Sequence, residues 1–120
     1  MRDRNGNVLR LAQVMLLGLG AGCAALTAAQ PGDEVTAKGK AVYEQHCLAC
    51  HGAKGKGDGY PLLKPPPADL SAFATRSRTD AELLVTIRHG HPGTAMGAWK
   101  VALTEEESRH VLAYVRALQK

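Results

Sequence analysis

Cys47-Leu48-Ala49-Cys50-His51 is the stretch on which the reading of this chain turns. Two cysteines separated by two residues and followed at once by histidine form a C-x-x-C-H segment, which reads as a covalent haem attachment site. The spacing has a chemical reason. Two thiols so placed span the two vinyl groups of one haem and form thioethers with them, while His51 presents its imidazole to the iron from the same face. Other readings of a Cys pair fare worse. A thioredoxin-like couple belongs with a βαβ pattern, and none is visible. Half of a zinc site needs a second pair, whereas the one further cysteine is Cys23, far toward the N-terminus.

Working outward, the segment before the motif, Val35 to Gln45, has helix-forming content and follows a Pro31-Gly32 break. After the motif comes a loop, Gly52 to Gly59, whose four glycines let the backbone pass close to a bulky neighbour. Pro61 and Pro65-Pro66-Pro67 keep the next stretch extended. Thr79 with Glu82 makes a capping box that starts a helix running to Arg88 or His89, and Gly90 sits where a left-handed C-terminal residue is wanted. Thr104 with Glu107 repeats the device, with Glu105 and Glu106 at the positive end of the helix dipole. Leu112, Val115 and Leu118 give this last helix an apolar stripe, with Val111 and Tyr114 beside it. The domain is therefore expected to be all-α, with about three main helices and long loops around one covalently bound haem.

The N-terminal third reads differently. Met1 to Arg10 carries Arg2, Arg4 and Arg10 against Asp3, and Leu11 to Ala29 is Leu-, Ala- and Gly-rich. A basic start, an apolar stretch and the small residues Thr27-Ala28-Ala29 describe a signal peptide over residues 1–29, leaving 30–120 as the functional domain. Retention of the leader as a membrane anchor, or a lipid on Cys23, are the two other outcomes. Export to the periplasm agrees with covalent haem, which is attached only after export. Half of the net charge of +4 belongs to the leader, and the remainder is scattered, which argues against nucleic acid as a partner. The rest of the chain is short, with Tyr43, Tyr60, Phe73, Trp99 and Tyr114 as its aromatic residues. Such small domains bury too little surface to stand without help, so a cofactor should complete the core.

The segment Tyr43 to Gly52 resembles the haem segment of class I cytochromes c. The resemblance continues through Gly55, Gly57, Gly59, Pro67-Ala68-Asp69-Leu70, Gly93 with Met96, and the closing helix ending at Leu118. It implies an all-α fold around one haem c, with His and Met as axial iron ligands. Small bacterial carriers, and cytochrome subunits of oxidases and dehydrogenases, carry a similar loop. On that footing His51 and Met96 are the expected ligands; Met96 is the one methionine beyond the leader, in the glycine-rich segment Gly93 to Gly97. The family commonly has proline after the ligand methionine, and Gly97 departs from that. His91 and His89 are alternative distal ligands, while His46 and His110 read as structural or solvated. Pro61 is the expected source of a carbonyl that fixes the second ring nitrogen of His51. Trp99 is open to two readings, an indole N–H donor to a haem propionate or a core residue. Gly39, Tyr43 and Tyr114 resemble the family's helix-crossing contact.

The resemblance implies a one-electron carrier between redox donor and acceptor proteins, as in a respiratory chain, with no catalysis of its own. A fixed relay subunit of a membrane oxidase or dehydrogenase, and a haem enzyme with peroxidase activity, are the competing functions.

Overall fold

Pro31 opens the first helix instead of breaking the chain before it. In this computed structural model, which describes residues 27–120, helix α1 spans Pro31–His46. The expected break at Pro31-Gly32 is corrected by the chemistry of the first helical turn. Proline's missing N–H is no loss where that donor has no intrahelical partner, and its fixed φ suits the helix. Asp33 and Glu34 place negative charge at the positive end of the dipole. The leader up to Leu26, with Cys23, lies outside the described residues.

A turn at Cys47 separates α1 from the short helix α2, Leu48–His51. Helix α3 is a single turn, Phe73–Arg76, followed by α4, Asp80–His89, a 3-10 turn at Trp99–Val101, and α5, Glu105–Leu118. The described residues contain no strand. Among them no helix is long and apolar enough to cross a membrane. The all-helical expectation holds, with α1, α4 and α5 as the three main helices.

Both capping boxes form. The Glu82 N–H donates to Thr79 Oγ1 at 3.2 Å and the Thr79 N–H returns a bond to the Glu82 carboxylate at 2.7 Å. Thr104 and Glu107 repeat this at 3.1 and 2.8 Å. In each case the threonine N–H, and then its hydroxyl, holds the glutamate carboxyl below its ordinary range.

Helices α1 and α5 cross at Gly39, where a Cβ would run into the His110 carbonyl oxygen. The close approach brings Tyr43 and Tyr114 together with ring centroids 5.2 Å apart. Tyr43 is 1% exposed, and its hydroxyl donates to the Gly52 carbonyl at 2.7 Å, stapling α1 to the glycine loop. Burial pushes this phenol far above its ordinary pKa, so it remains a donor. On α5 the deepest residues are Val111, Leu112 and Val115, with Leu118 and Tyr114 packed at the margin. Ser108, fully buried, extends that face one turn back. Its hydroxyl donates to the Thr104 carbonyl at 2.7 Å and accepts from Arg88 at 3.1 Å. Arg116 ties the far end of α5 to the start of α4 through Asp80 at 2.7 Å and the Arg78 carbonyl at 2.6 Å.

Gly39→Ala tests the crossing because two effects oppose each other. Helix propensity alone gives alanine a gain of about 1 kcal/mol. Overpacking against the His110 backbone costs about 1–3 kcal/mol or more, so a net fall in stability is expected. Chemical denaturation followed by circular dichroism measures it, and a gain would show that the crossing can open freely.

Candidate functional site

A cavity of about 380 Å³ lies among the helices, and every helix contributes to its wall. Helices α1 and α2 supply Tyr43, His46, Cys47, Cys50 and His51, and the proline segment supplies Leu63 and Pro65 through Ala68. Thr75 and Arg78 enter from α3 and its exit, Leu83 and Ile87 from α4, and Val111, Leu112 and Val115 from α5. Met96, His91 and Trp99 close it from the loop between α4 and α5. Carbon dominates the wall.

Helix α2 positions the motif by its own hydrogen bonds. The His51 N–H donates to the Cys47 carbonyl at 2.9 Å, and the Gly52 N–H to the Leu48 carbonyl at 2.8 Å. Cys47 and Cys50, both unpaired and half-buried, and His51 therefore share one cavity wall. Burial, and then the neighbouring Cys50, push the Cys47 thiol up to about 11. A redox thiol pair needs the opposite, a stabilised thiolate. Two unpaired thiols beside an apolar space, the Cys47 one held neutral, suit attachment to a ligand held there.

His51 Nδ1 lies 3.0 Å from the Ala68 carbonyl oxygen. A carbonyl only accepts, so Nδ1 carries a proton, and in the neutral ring that leaves the Nε2 lone pair for a metal. This corrects the expectation for Pro61. The Pro61 residue is exposed and outside the cavity wall, because the extended proline run carries the chain onward and returns it over His51 only at Ala68. Pro61 is thus a turn proline. The Ala68 segment is held in place by Leu70, whose N–H donates to the Gly55 carbonyl at 2.6 Å, and by Thr75, whose hydroxyl donates to the Asp69 carbonyl at 3.0 Å. Nothing local in the sequence marks Ala68, since a backbone carbonyl has no residue signature.

The loop bearing Met96 is closed by its own bonds. The His91 N–H donates to the Met96 carbonyl at 2.9 Å, and the Met96 N–H to Thr94 Oγ1 at 3.1 Å. Thr94 Oγ1 donates in turn to the His91 carbonyl at 2.8 Å. Gly90 makes the closure feasible: its φ is 76°, and a Cβ there would stand 2.5 Å from the Met96 carbonyl oxygen. Its ψ of −174° is not the left-handed helical value expected for a cap, because the chain must fold back alongside Met96-Gly97.

Trp99 lies in the cavity wall with its ring 5.3 Å from that of His46 and tilted by 53°. His46 also reaches the wall, which sequence position alone did not reveal, and so does His91, the alternative distal ligand named from the sequence. His89 instead accepts from Lys100 at 3.3 Å outside it, and His110 sits 3.7 Å from Glu106. Arg78 is the other residue missed: it precedes the Thr79 cap and nothing in the sequence marks it for the cavity wall. Two thiols, an imidazole with a free Nε2, a thioether and apolar walls are the donor set a covalently held haem requires.

Comparison with known proteins agrees. Residues 34–115 match the family described as cytochrome c oxidase, cbb3-type, subunit III. Cytochrome c55X of Paracoccus denitrificans is 32% identical over 106 residues, covering 88% of this chain and 92% of that protein. Dihydro-heme d1 dehydrogenase of Pseudomonas aeruginosa is 35% identical over 100 residues, which is 83% of this chain. The chain spans only 18% of the length of that relative. Among solved structures, the c-type cytochrome KustC0563 superposes with a TM-score of 0.55 at 28% identity, over 68% of this chain and 98% of its own. A chain of the reducing HAO-like protein complex of Kuenenia stuttgartiensis superposes with a TM-score of 0.59 at 29% identity, over 68% of this chain and 41% of its own. The family match takes in the whole cavity wall from Tyr43 to Val115, and on that ground the chain belongs to this family as a c-type cytochrome with one covalently bound haem c.

Proposed function

We propose that this chain is a periplasmic one-electron carrier that catalyses no substrate chemistry, with Cys47 and Cys50 as the haem anchors and His51 and Met96 as the axial iron ligands. Bound haem supplies an iron that cycles between two oxidation states. The observation that carries the reading is the pairing of a free His51 Nε2, secured by the Ala68 carbonyl, with the Met96 side chain in the same cavity. Two such donors would hold the iron of a bound haem and leave it no open position for a substrate. The thioether of Met96 raises the potential relative to a second imidazole, and the apolar walls do the same by disfavouring ferric charge. The bonds that close the Met96 loop hold the thioether where it stands, which keeps rearrangement small when an electron moves. Trp99, in the wall beside His46, is suited to donate its indole N–H to a propionate.

The partners are proposed to be separate redox proteins. In the Pseudomonas relative the matching segment belongs to a much longer chain named as a dehydrogenase. That supports a dehydrogenase as the electron donor here. It equally keeps a fixed relay role in such a complex in view, and purification from the native source distinguishes the two by what accompanies the cytochrome. Membrane association through the N-terminal segment or a lipid on Cys23 belongs to the same proposal, and fractionation of Cys23→Ser reads it.

Met96→Ala tests the carrier reading against an enzyme. It should abolish the weak far-red sulfur-to-iron band, lower the reduction potential, and raise carbon monoxide binding by the ferrous protein from a trace to near saturation. Bis-histidine spectra in the unmutated protein would move the distal role to His91. Cys50→Ala should leave at most one thioether and sharply reduced holoprotein, measured by mass spectrometry; normal yields with two thioether links would refute the anchor assignment. Removing residues 1–29 should leave the chain in the cytoplasm without covalent haem, and full holoprotein from that variant would count against export.

A further inference from the structure

The segment that carries Met96 is flanked by two glycines, where the backbone is least restrained. Gly93 takes a φ of 76°, and a Cβ at either Gly93 or Gly97 would meet nothing within 4 Å. A proline directly after Met96 would stiffen the chain there, and Gly97 does not. Closure therefore falls to hydrogen bonds, and one hydroxyl sits at their centre. Thr94 Oγ1 accepts from the Met96 N–H at 3.1 Å and donates to the His91 carbonyl at 2.8 Å. The Thr94 N–H reaches the same carbonyl at 3.2 Å, and the His91 N–H donates to the Met96 carbonyl at 2.9 Å. Thr94 is half-buried and lines the cavity.

The same loop carries a rival donor. His91 is largely exposed yet lines the cavity together with Met96. Its Nδ1 lies 3.3 Å from the Pro92 carbonyl oxygen, which only accepts, so the neutral ring has its Nε2 lone pair available for a metal. His89 is engaged differently, by Lys100 at 3.3 Å outside the cavity wall. Ferric iron favours an imidazole over a thioether, and ferrous iron favours the thioether. Two donors on one loop therefore compete for one axial position, and the oxidised protein is where the imidazole has the advantage.

Resting on the reading of His51 and Met96 as the axial pair, we infer that Thr94 is the positioning residue that keeps Met96, and not His91, on the distal side of the iron. Its hydroxyl ties the Met96 backbone to the His91 carbonyl. The thioether withdraws, and His91 turns in, only when those bonds break. Without the hydroxyl the oxidised protein exchanges ligands: the Met96 sulfur leaves the iron as the His91 Nε2 binds it. With His91 already neutral, no proton or electron moves in that exchange. Reduction returns Met96, so Thr94 separates a carrier with fixed ligands from one that rearranges at every turnover.

The test compares full-chain holoprotein, unmutated and carrying Thr94→Val or Thr94→Ser, at about pH 8, above the ordinary histidine range. The far-red sulfur-to-iron band of the oxidised unmutated protein is read first. Its absence would sink the Met96 assignment itself, and this inference with it. With the band present, Thr94→Val should replace much of it by bis-histidine spectra in the oxidised state and lower the reduction potential, while the reduced state keeps Met96. Thr94→Ser retains the hydroxyl and should restore the unmutated spectra. Added imidazole, titrated into the oxidised protein in a His91→Ala background, measures how often Met96 detaches. Thr94→Val should tighten its binding about tenfold, the effect of losing hydrogen bonds of ordinary net strength. Unmutated spectra in a loaded Thr94→Val protein, or an unchanged imidazole affinity, would overturn the proposal. Hydrogen exchange on the unmutated protein gives a reading that no folding defect can disturb: the Met96 amide should be protected, and exchange as fast as that of an unbonded amide would also overturn it.

Discussion

The apolar core of this protein is organised around a space. Tyr43, Leu83, Val111, Leu112 and Val115 are its buried apolar side chains, together with Leu103, and all but Leu103 line the cavity. Tyr43, Val111 and Val115 pack into one cluster, and the same side chains also face the cavity, so the cofactor adds to the dispersion and desolvation energy available to the domain. A short chain with few aromatic residues reaches a stable core by wrapping a large planar cofactor. Covalent attachment keeps that piece of the core in place.

The remaining architecture serves this wrapping. The α1–α5 crossing at Gly39 brings two long helices together outside the cavity and fixes the distance between the motif and the apolar face of α5. Tyr43 joins the same crossing to the glycine loop through Gly52. From there the chain passes over His51 at Ala68, is held at Leu70 by Gln119 on α5 at 2.7 Å, and enters α4 beneath Arg116. The loop between α2 and α3 is thus anchored to α1 and α5 by side chain to backbone bonds, whereas the Met96 loop is closed by bonds of its own.

The electrostatics of the site are sparse and directional. The Met96 thioether is uncharged and stands among apolar walls, an environment that would disfavour extra positive charge on a bound iron without adding a titrating group. Carboxylates of this half of the molecule are held outside the wall by caps and ion pairs, which prevents them from offsetting that effect.

What the sequence determined by itself was short in range. The C-x-x-C-H segment, both capping boxes, the helical character of α4 and α5, and the glycine loop all depend on residues within four positions of one another. Helical geometry and thiol spacing act at that distance. The N-terminal turn of α1 was equally local, and was misread only because proline at a first helical position was taken as a break. The tertiary structure decided what chain direction and long-range closure control. Ala68 rather than Pro61 supports His51, because a run of prolines sets how far the chain travels before it returns. His46 and Arg78 reach the cavity wall because the α1–α5 crossing and the Arg116 clamp orient the segments that carry them. Those choices rest on contacts between residues far apart in the chain, and no spacing rule within a single segment encodes them.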